Sequence, residues 1–366
     1  MQKGFSNFLN LADTKKSLRS QVFNFSLLAI FVCSFVYSKA QDIHFTQFYQ
    51  SPFNINPGLC GQYEGDYRFI ANQRTQWRSV TVPYNTLGLA VDARNFLYNL
   101  SEQTEEKKSF LKDIHTGMSY YSDKAGDSRF KSDMLNLFLS KDIPLGSASG
   151  HITPGISIGF THMKIDYSNL NFDNQWNGFV YDPGINPEEQ FARNSRGYLN
   201  INLGMNYSRQ WSNSGQLKTG IGLFNLSNPK QSFFDDGYVK LDMRSNMYAQ
   251  YKHLINNQWA IEPMILWMRQ GTYDEVNFGG LAYYALSSNA WNKFSIYGGA
   301  IGRAKDAGNL IAGVIYNEWN VGASYDINTS NLKPASNGKG GFELSAIYII
   351  PSKKKIVPYK VCPDFM

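Results

Sequence analysis

Residues 198–208 read YLNINLGMNYS, with Leu, Ile, Leu, Met and Tyr at the odd positions 199–207 and Asn, Asn, Gly, Asn and Ser at the even ones. A period of two marks a strand with one apolar and one polar face. An apolar face this long needs an apolar neighbour. The pattern recurs along the chain, giving candidate strands at 66–74, 84–94, 112–122, 130–141, 151–165, 196–209, 215–226, 239–252, 258–269, 272–286, 291–302, 308–317, 321–328 and 341–350. It is clearest where Val321, Ala323, Tyr325 and Ile327 alternate with Gly322, Ser324, Asp326 and Asn328, and is patchier elsewhere. A soluble β-sandwich is the plain alternative, but sheets usually hold about 4–6 strands of about 5–6 residues. Strands of about 9–11 residues suit a tilted bilayer crossing.

Composition supports the membrane reading. Charged residues make up 17% of the chain, against about 25% in soluble domains. Aromatics reach 15%, with 23 Tyr and 25 Phe, and there are 31 Gly. Mean hydropathy is nevertheless −0.36, too polar for a helical membrane protein. A transmembrane barrel has this profile because half of each strand faces away from lipid. The sequence therefore predicts an all-β fold: an up-and-down antiparallel transmembrane β-barrel over residues 66–350, with its Asn-rich faces lining a polar lumen.

At the N-terminus, Lys15, Lys16 and Arg19 precede the 15-residue apolar run FNFSLLAIFVCSFVY at 23–37, followed by Ser38-Lys39-Ala40. A basic region, an apolar core and a small-x-small site predict a signal peptide over residues 1–40. A membrane anchor would need about 20 apolar residues. Removing the five Lys/Arg and one Asp of this region from totals of 35 and 29 leaves 30 basic and 28 acidic residues. The pI of 8.9 thus owes part of its value to targeting, and no basic stripe points to nucleic acid.

Loop lengths supply an independent test, because such barrels have short periplasmic turns and long external loops. Odd-numbered connections include the long segments 166–195, 227–238 and 329–340, while the later even ones, 210–214, 253–257, 287–290 and 318–320, are short. The charged loop 95–111 is the exception. Trp211, Trp259, Trp291 and Trp319 sit in or beside four successive even turns, as amphipathic indoles do at a membrane interface. The short side is read as periplasmic, and an even strand number places both termini there.

No motif argues for an enzyme or a cofactor. Gly155-Ile156-Ser157-Ile158-Gly159 matches G-x-S-x-G, but a nucleophile elbow needs a strand, a sharp turn and a helix, and Ser157 falls inside a continuous strand. His44, His115, His151, His162 and His253 lack metal-ligand spacing. Loop 166–195 is the first candidate for partner binding: Phe172, Trp176, Phe179 and Tyr181 are interleaved with Asn and Asp, and aromatic anchors tend to dominate interface energy. The alternative is that these rings fold the loop over the barrel mouth.

Two segments flank the strands. Residues 41–65 form a periplasmic or plug segment carrying Phe45, Phe48, Tyr49 and Phe53 before Asn56-Pro57-Gly58. It is too short for a domain and too aromatic to hang in water, so it is expected to pack on the barrel wall or plug the lumen. Residues 351–366 form a periplasmic tail beginning near Lys353-Lys354-Lys355. Once Cys33 leaves with the signal peptide, Cys60 and Cys362 are left. An exported protein can hold such a disulfide, but two free thiols is the favoured reading, because sequence alone establishes no pairing.

These residues carry a resemblance to a known family. Gln41-Asp42, Phe45-Thr46-Gln47-Phe48, Asn56-Pro57 with Gly61, Asn72-Gln73-Arg74, Gln76-Trp77-Arg78, Asp92, Asp123-Lys124-Ala125-Gly126, Ile165-Asp166 with Asn171-Phe172, Ser324-Tyr325-Asp326-Ile327-Asn328 with Ser330, Gly340-Gly341-Phe342-Glu343-Leu344 and Cys362-Pro363 follow in that order. Over most of the chain beyond the signal peptide it resembles the PorP/SprF outer-membrane proteins of the type IX secretion system. Cys60 departs from the pattern, where alanine usually precedes the glycine. The resemblance implies a non-enzymatic protein, integral to the outer membrane, without a cofactor. Its implied partners are the type IX translocon, periplasmic secretion and motor components, and a large secreted adhesin with a type B C-terminal domain. SprF-like members serve a gliding adhesin, and PorP-like members are core components; the SprF-like role is favoured here. A fourteen-stranded channel for small or hydrophobic solutes and an outer-membrane hydrolase stand as the other classes.

Overall fold

The computed structural model describes residues 42–76, 82–101, 109–126, 128–146, 150–167, 170–186, 188, 193–211, 214–234, 236–289, 292–329 and 339–352. The predicted signal peptide and Cys362 lie outside them. Strands run β1 Tyr67–Gln76, β2 Tyr84–Ala93, β3 Ile114–Ala125, β4 Phe130–Lys141, β5 Ile143–Pro144, β6 Gly150–Lys164, β7 Ser195–Trp211, β8 Gly215–Phe224, β9 Arg244–Leu254, β10 Trp259–Gln270, β11 Tyr273–Asn289, β12 Asn292–Arg303, β13 Ala307–Tyr316, β14 Trp319–Asn328 and β15 Lys339–Ile350. Each of the fourteen predicted segments is one of these strands. Neighbours in the ring pair antiparallel, and β1 pairs with β15 to close it. The two-residue β5 pairs only with β6, while β4 pairs with β6 directly, so β5 stands outside a closed ring of fourteen. Closure leaves no unpaired sheet edge facing hydrocarbon. Among the described residues no helix is long and apolar enough to cross a membrane.

The opening stretch shows how sequence becomes wall. In β7, Leu199, Ile201, Leu203 and Met205 are exposed on the outside, whereas Asn200, Asn202 and Asn206 are buried inside. β6 does the same, with Ile156, Ile158 and Phe160 outward and Thr153, Ser157 and Thr161 inward. At one rim Trp211, Trp259 and Trp319 are each partly exposed. Trp259 lies against Tyr284 with centroids 4.8 Å apart, and Trp319 against Tyr348 at 4.7 Å. Trp291 lies outside the described residues. At the opposite rim stand the long connections 165–194 and 225–243, together with tight turns such as 271–272 and 304–306.

Residues 43–61 occupy the lumen. A 3-10 turn at Phe48–Gln50, one α-turn at Pro52–Ile55 and a second 3-10 turn at Pro57–Leu59 carry them along it. Phe48, Ile55 and Leu59 pack on Tyr248, Met264, Leu266, Leu281, Tyr297 and Ile301 of the wall, and Phe53 stacks on Phe138 with centroids 4.2 Å apart. The expected polar lumen thus carries an apolar patch on β9–β13, where it faces the side chains of this segment rather than water, while Arg244, Asn246, Glu275 and Arg303 keep other inward positions of the same strands polar. The segment also crosses from rim to rim. His44 meets Arg74, two residues from the end of β1, while Gly61 meets Asp92, next to the end of β2. Ile43 and Ser352 therefore lie at opposite rims. Strand parity fixes only where the barrel itself begins and ends, so the expectation of both termini on one side does not extend to a leading segment that threads the lumen.

Candidate functional site

The lumen site is built from a chain with little regular structure, whose backbone groups must find partners in the wall. Glu343 accepts from the Thr46 and Gln47 N–H groups at 2.8 and 2.9 Å. The Gly61 N–H donates to Asp92 at 2.7 Å. The carbonyls of Ile43 and His44 accept from Arg244 at 3.2 Å and Arg74 at 2.8 Å. Asn246 donates to the carbonyls of Asn54 and Ile55, Arg68 to that of Leu59, and Ser140 to that of Cys60. A side-chain rail thus takes the place of a ladder.

Three arginines that line the lumen are themselves paired. Arg68 binds Asp92 bidentately at 2.9 and 2.7 Å. Arg74 meets Asp326 at 2.8 Å, and Asp326 also accepts from the Thr46 hydroxyl at 2.8 Å. Arg303 pairs with Asp306 at 2.8 Å and lies 3.6 Å from Glu275. Buried charges of this kind are tolerated only when paired and hydrogen-bonded. Glycine supplies the clearance on the β6–β8 side. A Cβ on Gly155 would come within 2.5 Å of the Pro57–Gly58 backbone, and one on Gly222 within 2.3 Å of the Ile55 carbonyl. This close approach accounts for Gly155 in G-x-S-x-G. Ser157, buried mid-strand, accepts from Asn202 at 2.9 Å, so the motif is wall and not a nucleophile elbow.

The predicted residues fall into two places. Phe45 and Phe48 are buried in the lumen, and Tyr49 is partly buried beside Phe48. Asn56 caps the second 3-10 turn by accepting from the Gly58 N–H at 2.7 Å, and its amide donates to the Met205 carbonyl at 3.0 Å. Pro57 opens that turn. Cys60 is a free, fully buried thiol, and its suggested partner Cys362 lies outside the described residues. The other four stand on the long connection between β6 and β7. Tyr181 donates to Gln175 at 2.6 Å and bridges to Trp176, and Asn177 caps the backbone of Phe179 and Val180. This small folded tip displays its apolar groups: Phe179 is 89% and Trp176 57% exposed, with Phe172 partly buried. The neighbouring connection 225–243 carries Tyr238 and Phe234, also exposed, and Arg196 at the base of β7 donates to the carbonyls of Lys230 and Ser232 on it.

Sequence reasoning missed the roles of Arg68, Arg74, Arg244, Asp92, Asp326 and Glu343. The available signal was charge in the wrong place: single ionisable residues on the inward face of membrane strands in a charge-poor chain are expensive and mark function or structure.

A closed antiparallel ring with an outward apolar belt, an aromatic rim and a segment threaded through its lumen defines an outer-membrane β-barrel protein. The family described as type IX secretion system membrane protein PorP/SprF matches residues 37–348. The chain belongs to that family. No curated protein matches it. Among solved structures, the CymD monoaromatic hydrocarbon channel aligns at 9% identity and TM-score 0.44, covering 83% of this chain and 93% of its own. The Ralstonia pickettii toluene transporter TbuX aligns at 11% identity and TM-score 0.42, covering 80% and 90%.

Proposed function

We propose that this barrel is the outer-membrane partner of a large secreted surface adhesin of the gliding-motility type, which it holds or delivers through that adhesin's type B C-terminal domain. Family membership supports a place among type IX secretion components. The observation that carries the partner role is the loop tip between β6 and β7, where Trp176, Phe179 and Val180 are exposed on a hydrogen-bonded scaffold instead of folded onto the mouth. Ordered aromatic groups of this kind bind at low entropic cost. On this reading the loop-bearing rim faces outward from the cell and the Trp-bearing rim faces the periplasm.

Deleting the gene tests the reading. One large adhesin should vanish from the cell surface while other type IX cargo is still secreted. Phe179→Ala combined with Trp176→Ala should reduce surface adhesin with the barrel level unchanged. Collapse of all type IX secretion would replace this role with that of a core component, and no change in either would leave a channel.

A further inference from the structure

The lipid-facing wall is not uniformly convex. Outside β7–β10 lies a groove of about 520 Å³. Its floor is the row Tyr207–Thr219–Ala249–Ile265, in register across four strands, where Thr219 and Ala249 are short. Met205 and Met247, from the adjacent row, form its walls and are 52% and 46% exposed. Methionine suits a wall that must adapt to a flexible occupant.

One end of the groove differs from the rest of the belt. Two residues along each strand toward the Trp-bearing rim, a step of about 7 Å, comes the row Arg209–Leu217–Tyr251, and two further comes Trp211–Gly215–His253. The Arg209 guanidinium lies 5.2 Å from the Trp211 ring centroid, Trp211 meets Tyr251 edge-on at 6.1 Å, and Tyr251 stacks on His253 at 6.0 Å. Arg209 makes no ion pair among the described residues. A cation held against indole at the interface level of a barrel is chemistry for a phosphate head group.

We propose that this face is a specific glycerophospholipid site, with one acyl chain in the groove over Thr219 and Ala249 and the phosphodiester against Arg209. The groove is continuous with the hydrocarbon-facing belt, so a lipid chain is the occupant already at hand. The site commits only to a membrane barrel and is independent of the adhesin reading. No bond is made or broken.

The test is native mass spectrometry of the purified full-length protein in mild detergent, titrated with phosphatidylglycerol. Ala249→Phe fills the floor from outside, Arg209→Gln removes the cation, and Leu310→Phe on the lipid face of β13 is the control; heat-modifiable migration reports folding of each. The wild type should retain one phosphatidylglycerol, Ala249→Phe at least ten-fold less, Arg209→Gln several-fold less, and Leu310→Phe as much as the wild type. The site is overturned if the wild type retains none, or if folded Arg209→Gln and Ala249→Phe retain as much as the control. Should Ala249→Phe not fold, Arg209→Gln decides alone.

Discussion

On β6 and β7 the inward residues are mostly polar or glycine, with Met163 the apolar exception, whereas on β10 both faces are apolar, with Met264, Leu266 and Met268 buried inside and Ile265 exposed outside. The two sectors meet different sides of one segment. β6–β8 meet the backbone and amide of Asn56-Pro57-Gly58, for which small glycines and Asn206 leave room. β9–β13 meet the side chains of Phe48, Ile55 and Leu59, with Arg244 and Asn246 of β9 also holding the carbonyls of Ile43, Asn54 and Ile55. The lumen of this barrel is therefore a protein core turned inside a membrane protein, and the wall residues that touch residues 43–61 differ with the part they touch.

A third region, the charged anchors on β1 and β14, extends the contrast: damage there should exceed damage of similar size to the apolar sector. Arg74→Ala leaves Asp326 buried beside Glu343 with only the more distant Arg303, at 3.8 Å, as a cation, and breaking a buried pair typically costs about 3–5 kcal/mol. Leu266→Ala removes packing and leaves a cavity, at about 2–5 kcal/mol, with no charge stranded. Denaturant midpoints of the folded barrel in detergent would rank the two; a larger loss for Leu266→Ala would break the comparison.

This contrast also explains what the sequence could disclose. Strand number and position were readable because the outward face answers to one uniform solvent, lipid, so Leu199, Ile201, Leu203 and Met205 announce themselves. The alternation blurred where the inward face answers to a specific neighbour: Met264-Ile265-Leu266-Trp267-Met268 carries no period of two. Aromatic density alone pointed to a packed lead segment. Its direction through the lumen was not legible, since it rests on contacts between unlike elements at separations from 30 positions, for His44 with Arg74, to 297, for Thr46 with Glu343. Residue spacing carries no information about contacts that far apart. The sequence singled out the loop aromatics as candidates, but not that Tyr181 is spent on holding the tip while Phe179 is displayed.

A smaller effect separates clearance from chance. Gly155→Ala puts a Cβ within 2.5 Å of the Gly58 backbone nitrogen, so the segment or the strand must move. Overpacking of this kind costs about 1–3 kcal/mol. Gly308→Ala on β13 meets nothing within 4 Å and should be near neutral. Equal effects of the two substitutions would mean that the glycines of β6 serve strand geometry and not the segment.

The most direct measurement of the central claim, that residues 43–61 fill the lumen from rim to rim, is ion conductance in planar bilayers. The full-length barrel should be closed or nearly so. A variant lacking residues 43–61 but keeping its signal peptide and refolding to a heat-modifiable barrel should conduct in large, steady steps. Equal conductance of the two proteins, open or closed, would contradict the account.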